Sequence, residues 1–351
     1  IITYNIMAQT KITIIIVTWN SMYYLFDCLE SLMHQTFRDF SVLIIDNGSQ
    51  DNTVEFVRNY YPTAGVLQNF KNIGFAKAYN QGIRMAKSEY VLVLNHDVNL
   101  DENFISEILR YADAKPEGGS FGGKILKLYT QDVDPINGGG GLRTAVRSDV
   151  IDSTGLIARK SRHFYDRGSG EKDGGQYQQS GEVFGICGAC VLYRKAALED
   201  IKIKDEYFDN DFFAYKEDVD LAWRLRLFGW RSYYVSPAVA FHHRHFSGSA
   251  NKKISQIIKE RRKISKLLRI YSFRNQHLML AKNEILSNFF RNFFPIIWRE
   301  IKIFSYILFF EPFIFRSCFE FFRVLPFILI KRKIIMSHRK ISAKEMRGWF
   351  K

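Results

Sequence analysis

Four short polar segments hold the residues that could do chemistry. Thr18-Trp19-Asn20 closes the apolar run Ile12–Val17, and Asp46-Asn47-Gly48-Ser49-Gln50-Asp51-Asn52-Thr53 follows Phe40–Ile45. Asn95-His96-Asp97-Val98 follows Tyr90–Leu94, and Lys216-Glu217-Asp218 stands at the mouth of a helical pattern. Asp, Asn, Gly and Ser after a strand are ordinary turn formers, and Asp51 or Asn52 would serve as a helix cap. Two features argue for more than turns. Apolar strands lead into a carboxylate twice, at Asp46 and Asp97, which concentrates acid where a ligand would sit. The chain also has neither a P-loop lysine nor a G-x-G-x-x-G turn, so nucleotide phosphates would not rest in a Gly-rich cradle. A divalent cation on Asp97 would serve instead, because hard cations take carboxylate oxygens and then substrate phosphates.

The elements that must position these loops alternate in period. Ile12–Thr18 is a β-branched run, hence a strand buried on both faces. A helix capped by Ser21 runs to about Leu32, and strand Phe40–Ile45 precedes helix Asn52–Tyr60. Strand Ala64–Leu67, helix Phe75–Ala86, strand Tyr90–Leu94 and helix Asp101–Ala112 continue the pattern. Such alternation specifies a parallel sheet covered by helices, with ligands outside the carboxyl ends of the strands. Glycine is dense from Pro116 to Gly185, including Gly138–Gly141, which predicts a long irregular insertion shaping an acceptor site. Regular pattern returns at Glu182–Tyr193, at a helix Val219–Phe228 and at strand Arg231–Val235 with segment Ala238–Phe241.

Composition narrows the class. Across 351 residues, 47% are hydrophobic and 25% charged, enough for a sizeable core. The net charge of +14 is unevenly placed: residues 251–351 hold 23 Lys/Arg against 6 Asp/Glu, and residues 1–250 are slightly acidic. Four scattered cysteines, with only Cys187 and Cys190 at a short spacing, exclude a disulfide scaffold and a zinc cluster and point to a reducing compartment. No signal peptide is expected, and Met7 reads as a start.

The ordered set Thr18-Trp19-Asn20, Asp46-Asn47-Gly48-Ser49 with Asp51 and Thr53, Asn72–Gly82, Leu94–Val98 and Glu217–Arg224 resembles the family-2 inverting glycosyltransferases of GT-A fold, in particular their rhamnosyltransferase-like branch. The resemblance covers about Ile12 to Ser249. It implies an α/β fold, Rossmann-like, with a mostly parallel sheet and flanking helices. It also implies a nucleotide-binding half at about 11–113 and an acceptor half at about 114–250. Thr18, Asn20, Asp46 and Ser49 would border the nucleotide, with Asp46 accepting from the imide N–H of a pyrimidine. Asp51 and the Asn72–Asn80 segment, Gly74 included, would flank base and ribose. Asp97 would ligate Mn2+ or Mg2+ with His242, or with His243 or His245 of the same histidine-rich stretch. Asn95 stands where the family's Asp-x-Asp motif has its first Asp; it would hydrogen-bond ribose but adds no charge. Asp218 would be the catalytic base and Glu217 would orient the acceptor. Gly185, Gly188 and Ala189 would leave room for substrate. Without the resemblance, Glu217-Asp218 reads as a plain helix start with an Asp220–Arg224 pair.

Residues 251–351 are basic, helical and aromatic. Their longest uncharged apolar stretches, Ile303–Phe310 and Val324–Ile330, are too short to span a bilayer. They read as an in-plane anchor on an anionic membrane, beside the alternative of a helical subdomain packed on the core. No nucleic-acid motif is found, and self-association is left open. The expected function is transfer of a sugar, rhamnose from dTDP-rhamnose or a UDP-hexose, to a lipid-linked saccharide for cell-surface polysaccharide, at the cytoplasmic face of the membrane. The alternative is an inactive scaffold, supported only by Asn95.

Overall fold

Every residue of strand β1 (Ile12–Thr18) is buried. Its side chains alternate between two separate cores, as the pleat requires. Ile15 and Val17 join Leu43, Val93 and Tyr79, whereas Ile12, Ile14 and Ile16 join Leu29, Ile44 and Phe104. A computed structural model describes residues 10–133, 142–243 and 254–351. Met7, Gly138–Gly141 and Arg244–Ser247, with His245, lie outside the described residues.

Strand β1 pairs in parallel with β2 (Phe40–Asp46) and β4 (Tyr90–Asn95), and β3 (Gly65–Gln68) extends β2. Helices α1 (Met22–Met33), α2 (Thr53–Tyr60), α3 (Phe75–Met85) and α4 (Phe104–Asp113) cover this half, with short β5 (Val98–Leu100) before α4. Ser21 does not cap α1 with its side chain; its hydroxyl accepts from the Trp19 N–H instead (2.9 Å).

The glycine-dense region departs from expectation. It holds β6 (Gly118–Val133) and β7 (Leu142–Ser153), then the small hairpin β8 (Leu156–Ala158) and β9 (Phe164–Asp166), and β10 (Gly181–Val183). After β11 (Cys190–Arg194) come α5 (Lys195–Asp200), α6 (Glu217–Leu227) and β12 (Arg231–His242). The sheet order is β10-β12-β6-β11-β4-β1-β2-β3, so β6 is an interior strand. Glycine there marks tight packing and not a loop: a Cβ on Gly123 would lie 2.1 Å from the Ala238 carbonyl oxygen. That contact sits where β12 shifts register between Val235 and Val239, around Pro237, which joins two expected segments into one strand.

The C-terminal helices are α7 (Ile254–Lys263), α8 (Lys266–Asn283), α9 (Leu286–Arg291), α10 (Phe293–Phe310), α11 (Arg316–His338) and α12 (Ala343–Gly348). A boundary near residue 250 does not separate them from the core. Leu278, Met279, Ile328, Ile335, Met346 and Phe350 share one buried cluster with Val93, Phe184 and Trp223. Lys351 is tied to the core as well: its N–H donates to Ala158, and Lys160 N–H donates to Lys351 (both 2.9 Å). Among the described residues no helix is long and apolar enough to cross a membrane.

Candidate active site

Sheet register brings the polar loops together. Thr18 lies beside Asp46 and Val17 beside Asn95, so β1, β2 and β4 end at one edge. Antiparallel β11 begins at that edge, where the Asn95 N–H donates to the Ala189 carbonyl (2.8 Å). Strand β12 ends there too, pairing His242 with Val98.

The loops after β1 and β2 are built around Asp46. Its carboxylate is fully buried and accepts from Thr18 Oγ1 (3.0 Å), Ser49 Oγ and the N–H groups of Gly48 (3.1 Å) and Ser49 (3.0 Å). With four donors and no exposed surface, Asp46 does not offer an oxygen to a base. This corrects the imide-binding role expected of it, and buried Thr18 likewise faces inward. Of the residues expected to border the nucleotide, Asn20, which accepts from Gln50 N–H (2.8 Å), and Asp51, which accepts from Thr53, are exposed at this edge. Asn80 is also corrected: buried, it pins the loop at Phe208 and Asn210 through bonds of 2.7–3.0 Å and cannot reach a ribose. Asn72 closes a turn by accepting from the buried Gly74 N–H (2.9 Å).

Asp97 and His242 meet at this edge. Asp97 Oδ1 is buried, makes no hydrogen bond, and lies 3.3 Å from His242 Nε2. Behind the ring, Nδ1 lies 2.9 Å from Asp152, which has no exposed surface. Burial works against both charges, but the partners prevail: His242 holds the Asp97 carboxyl at about 2, and Asp97 with Asp152 raises His242 to about 9. The His243 ring packs instead against Tyr24 (centroids 5.0 Å). One carboxylate oxygen and one imidazole nitrogen, aimed at each other and backed by a second carboxylate, suit a divalent cation. Among the described residues no third His, Cys, Asp or Glu completes a ligand group, so phosphate oxygens and water would fill the remaining positions.

Across the same edge stand Glu217 and Asp218, in the first turn of α6. Asp218 accepts from the N–H groups of Gly188 (3.1 Å) and Val219 (2.8 Å). A side chain at 188 would put its Cβ 2.9 Å from that of Asp218. The small residue thus admits the Asp218 carboxylate, whereas the space at Gly185 is taken by Ala222, with 2.4 Å to its Cβ. Burial raises both acids; Asp218 adds its charge to bring Glu217 to about 8. Glu217 is the member pushed further toward holding a proton, and the two backbone donors favour the charged form of Asp218. Tyr79 ties the halves together: its hydroxyl lies 3.3 Å from Asn95 Oδ1 and is pushed up by burial, then by Glu217 and Asp97.

Sequence reasoning missed Asp152 and the C-terminal residues that touch α6, and it gave Tyr79 no role beyond its place in the Asn72–Asn80 segment. Asp152 sits in the segment read as irregular, so nothing local singled it out. Lys282 and Asn283 were legible only as polar residues in a basic tail, yet both are buried against Asp220 (3.0 and 2.8 Å).

The family model described as glycosyl transferase family 2 matches residues 13–202. N-acetylglucosaminyl-diphospho-decaprenol L-rhamnosyltransferase of Mycobacterium tuberculosis is 30% identical over 251 residues, 67% of this chain and 76% of that protein. Poly-beta-1,6-N-acetyl-D-glucosamine synthase of Staphylococcus epidermidis is 25% identical over 221 residues, 61% of this chain and 45% of that one. Among solved structures, GalNAc-T7 with UDP, GalNAc and Mn2+ matches with TM-score 0.55 and 12% identity, over 79% of this chain and 48% of its own, a likeness of fold.

Proposed function

The chain belongs to glycosyl transferase family 2, and from that premise we propose a metal-dependent, inverting transfer of a sugar from a nucleotide diphosphate to a lipid-linked saccharide. The carrying observation is the placement of Asp97–His242 and of Glu217–Asp218 at one sheet edge, where Asp97 and Glu217 both act on the Tyr79 hydroxyl. Rhamnose from dTDP-rhamnose is the favoured donor, because a rhamnosyltransferase acting on a polyprenyl-diphosphate-linked sugar is among the relatives; a UDP-hexose is the second choice.

A divalent cation held by Asp97 and His242 would offset the diphosphate's charge and ease its departure. Asp218 removes the proton from the acceptor hydroxyl as that oxygen attacks the anomeric carbon opposite the leaving group. A single displacement inverts configuration. Protonated Glu217 can donate to the acceptor and orient it. Asn95 lacks a charge, and its Oδ1 accepts from Tyr79, so it would position and not ligate.

The acceptor's lipid places the enzyme on a membrane surface, which we assign to the exposed aromatic faces of α10 and α11. Phe294 (83% exposed), Trp298, Leu308 and Phe309 project from α10, and Phe319 (75%) and Phe322 from α11. Arg291, Lys302, Arg316 and Arg323 are exposed and interspersed with them in the chain, suiting anionic headgroups.

The test is transfer by wild type and Asp218→Asn across dTDP- and UDP-sugars. The variant should bind dTDP normally and lose about a hundred- to ten-thousand-fold in turnover. Retained turnover removes Asp218 as base. An inert scaffold would turn over no sugar and show no Mn2+-linked gain in dTDP affinity by calorimetry.

A further inference from the structure

Two consecutive residues that are not glycine, Tyr215 (φ 70°) and Lys216 (φ 71°), adopt the left-handed conformation immediately before Glu217-Asp218. L side chains disfavour this region, so something must hold it. The holder comes from the C-terminal layer. Asn275 on α8, with no exposed surface, donates both amide hydrogens, one to the Ala214 carbonyl and one to the Tyr215 carbonyl (each 2.9 Å). Its own oxygen accepts from Arg274 Nε (3.1 Å) and Nη2 (3.0 Å), which fixes the amide so that only its NH2 can face the turn. Arg274 in turn donates to the Asp211 carbonyl (2.7 Å).

The same face of α8 grips the other side of the acidic pair. Lys282 and Asn283 lie seven and eight residues beyond Asn275, two helical turns on, and both meet Asp220 in the first turn of α6. Glu217 and Asp218 therefore sit between two points of attachment to one helix.

We propose that Asn275 is a positioning residue for sugar transfer. It holds the left-handed Tyr215–Lys216 turn, and with it the direction in which Asp218 meets the acceptor hydroxyl. The C-terminal helices are then part of the catalytic apparatus as well as a surface. This rests on Asp218 being the base.

The experiment compares Asn275→Ala with Asn288→Ala, a control equally buried that bonds Ala343 within the C-terminal layer and touches no part of the turn. Asn275→Ala should lower kcat about ten- to hundred-fold, the cost of a small misplacement of a reacting group, while dTDP affinity stays within about two-fold. Backbone amides 215–220 should exchange hydrogen faster by mass spectrometry. Adding Tyr215→Gly, which relieves the left-handed cost, should return part of the lost kcat. Asn288→Ala should lower Tm and leave kcat unchanged. Should Asn275→Ala not fold, Asn275→Asp replaces it with the same expectations, since it keeps the Arg274 contact but presents an acceptor to two carbonyls. Unchanged exchange at 215–220, or equal kcat losses in the two alanine variants at matched Tm, overturns the proposal. Wild-type protein that turns over no nucleotide sugar defeats the proposed function instead, and the exchange comparison still decides the turn.

Discussion

His242 Nδ1 lies 2.9 Å from the carboxylate of Asp152, a fully buried residue 90 positions earlier in the chain. The contact orients the ring so that Nε2 points at Asp97, and it raises the basicity of the nitrogen that would bind a cation. Strand β7 carries Asp152 and strand β12 carries His242, each beside β6, so the central sheet sets their separation.

Asp152→Asn keeps the shape and removes the charge behind the ring. Loss of such a supporting carboxylate costs about ten- to hundred-fold in metal affinity. Calorimetry of Mn2+ in the presence of dTDP should register that loss, with metal-free dTDP binding unchanged. Equal Mn2+ affinity in both proteins would contradict the assignment.

Glu217 makes stability depend on pH. Its carboxyl rises from the ordinary 4.5 to about 8 in the folded protein, by burial and then by Asp218. The folded state thus holds a proton that the unfolded chain has released, so this group favours folding below about pH 4.5. Its contribution is lost as pH climbs toward about 8. Glu217→Gln cannot titrate. The difference in Tm between the two proteins should shift in favour of the variant across that interval, and a constant difference would show that Glu217 is not held protonated.

Lys282, with no exposed surface, pairs with buried Asp220 (3.0 Å) and Asp209. Removing a cation from a buried ionic cluster costs up to about 3–5 kcal/mol, and Arg224 on Asp220 and Lys331 on Asp209 remain to offset part of the charge left behind. Lys282→Met should lose stability of that order in urea unfolding. Lys282→Met with Asp220→Asn should lose more than the single variant, since Asp220→Asn also takes the carboxylate from buried Arg224 (3.0 Å).

The aromatic faces of α10 and α11 should seat the protein on anionic vesicles. Trp298 (61% exposed) and Phe319 stand clear of the core, so Trp298→Ser with Phe319→Ser should leave Tm unchanged. Each buried aromatic contributes about 1.5–3 kcal/mol, and the double variant should lose at least about ten-fold in sedimentation with vesicles. Wild-type binding should also weaken with salt. Binding indifferent to both lipid charge and these substitutions would leave the faces without this role.

Much of the architecture was legible in the chain. Strands β1, β2 and β4 and helices α1 to α4 follow from local periodicity, and that information is complete within a dozen residues. The family resemblance singled out Asp97, Glu217 and Asp218 in the ordered loops and His242 in the histidine-rich stretch, and the fold carries them to one sheet edge. Glycine misled the reading of residues 118–123, because a residue with no Cβ is equally at home in a loop and where β6 passes tightly under β12. The C-terminal hundred residues read as a separate basic layer, since composition reports charge but not which charges are paired inside.

What only the tertiary structure decided is which polar atoms are already engaged. Asp46, Thr18 and Asn80 have the types to bind a nucleotide, yet their partners, brought by register and loop packing, occupy them fully. Asp152 and Asn275 have unremarkable surroundings in sequence, and they become decisive because the sheet and helix α8 carry them to His242 and to the turn before Asp218. Residue type and spacing determine what chemistry is available. Long-range packing determines which donors and acceptors remain free, because a hydrogen bond satisfied across the fold leaves no trace in the local pattern.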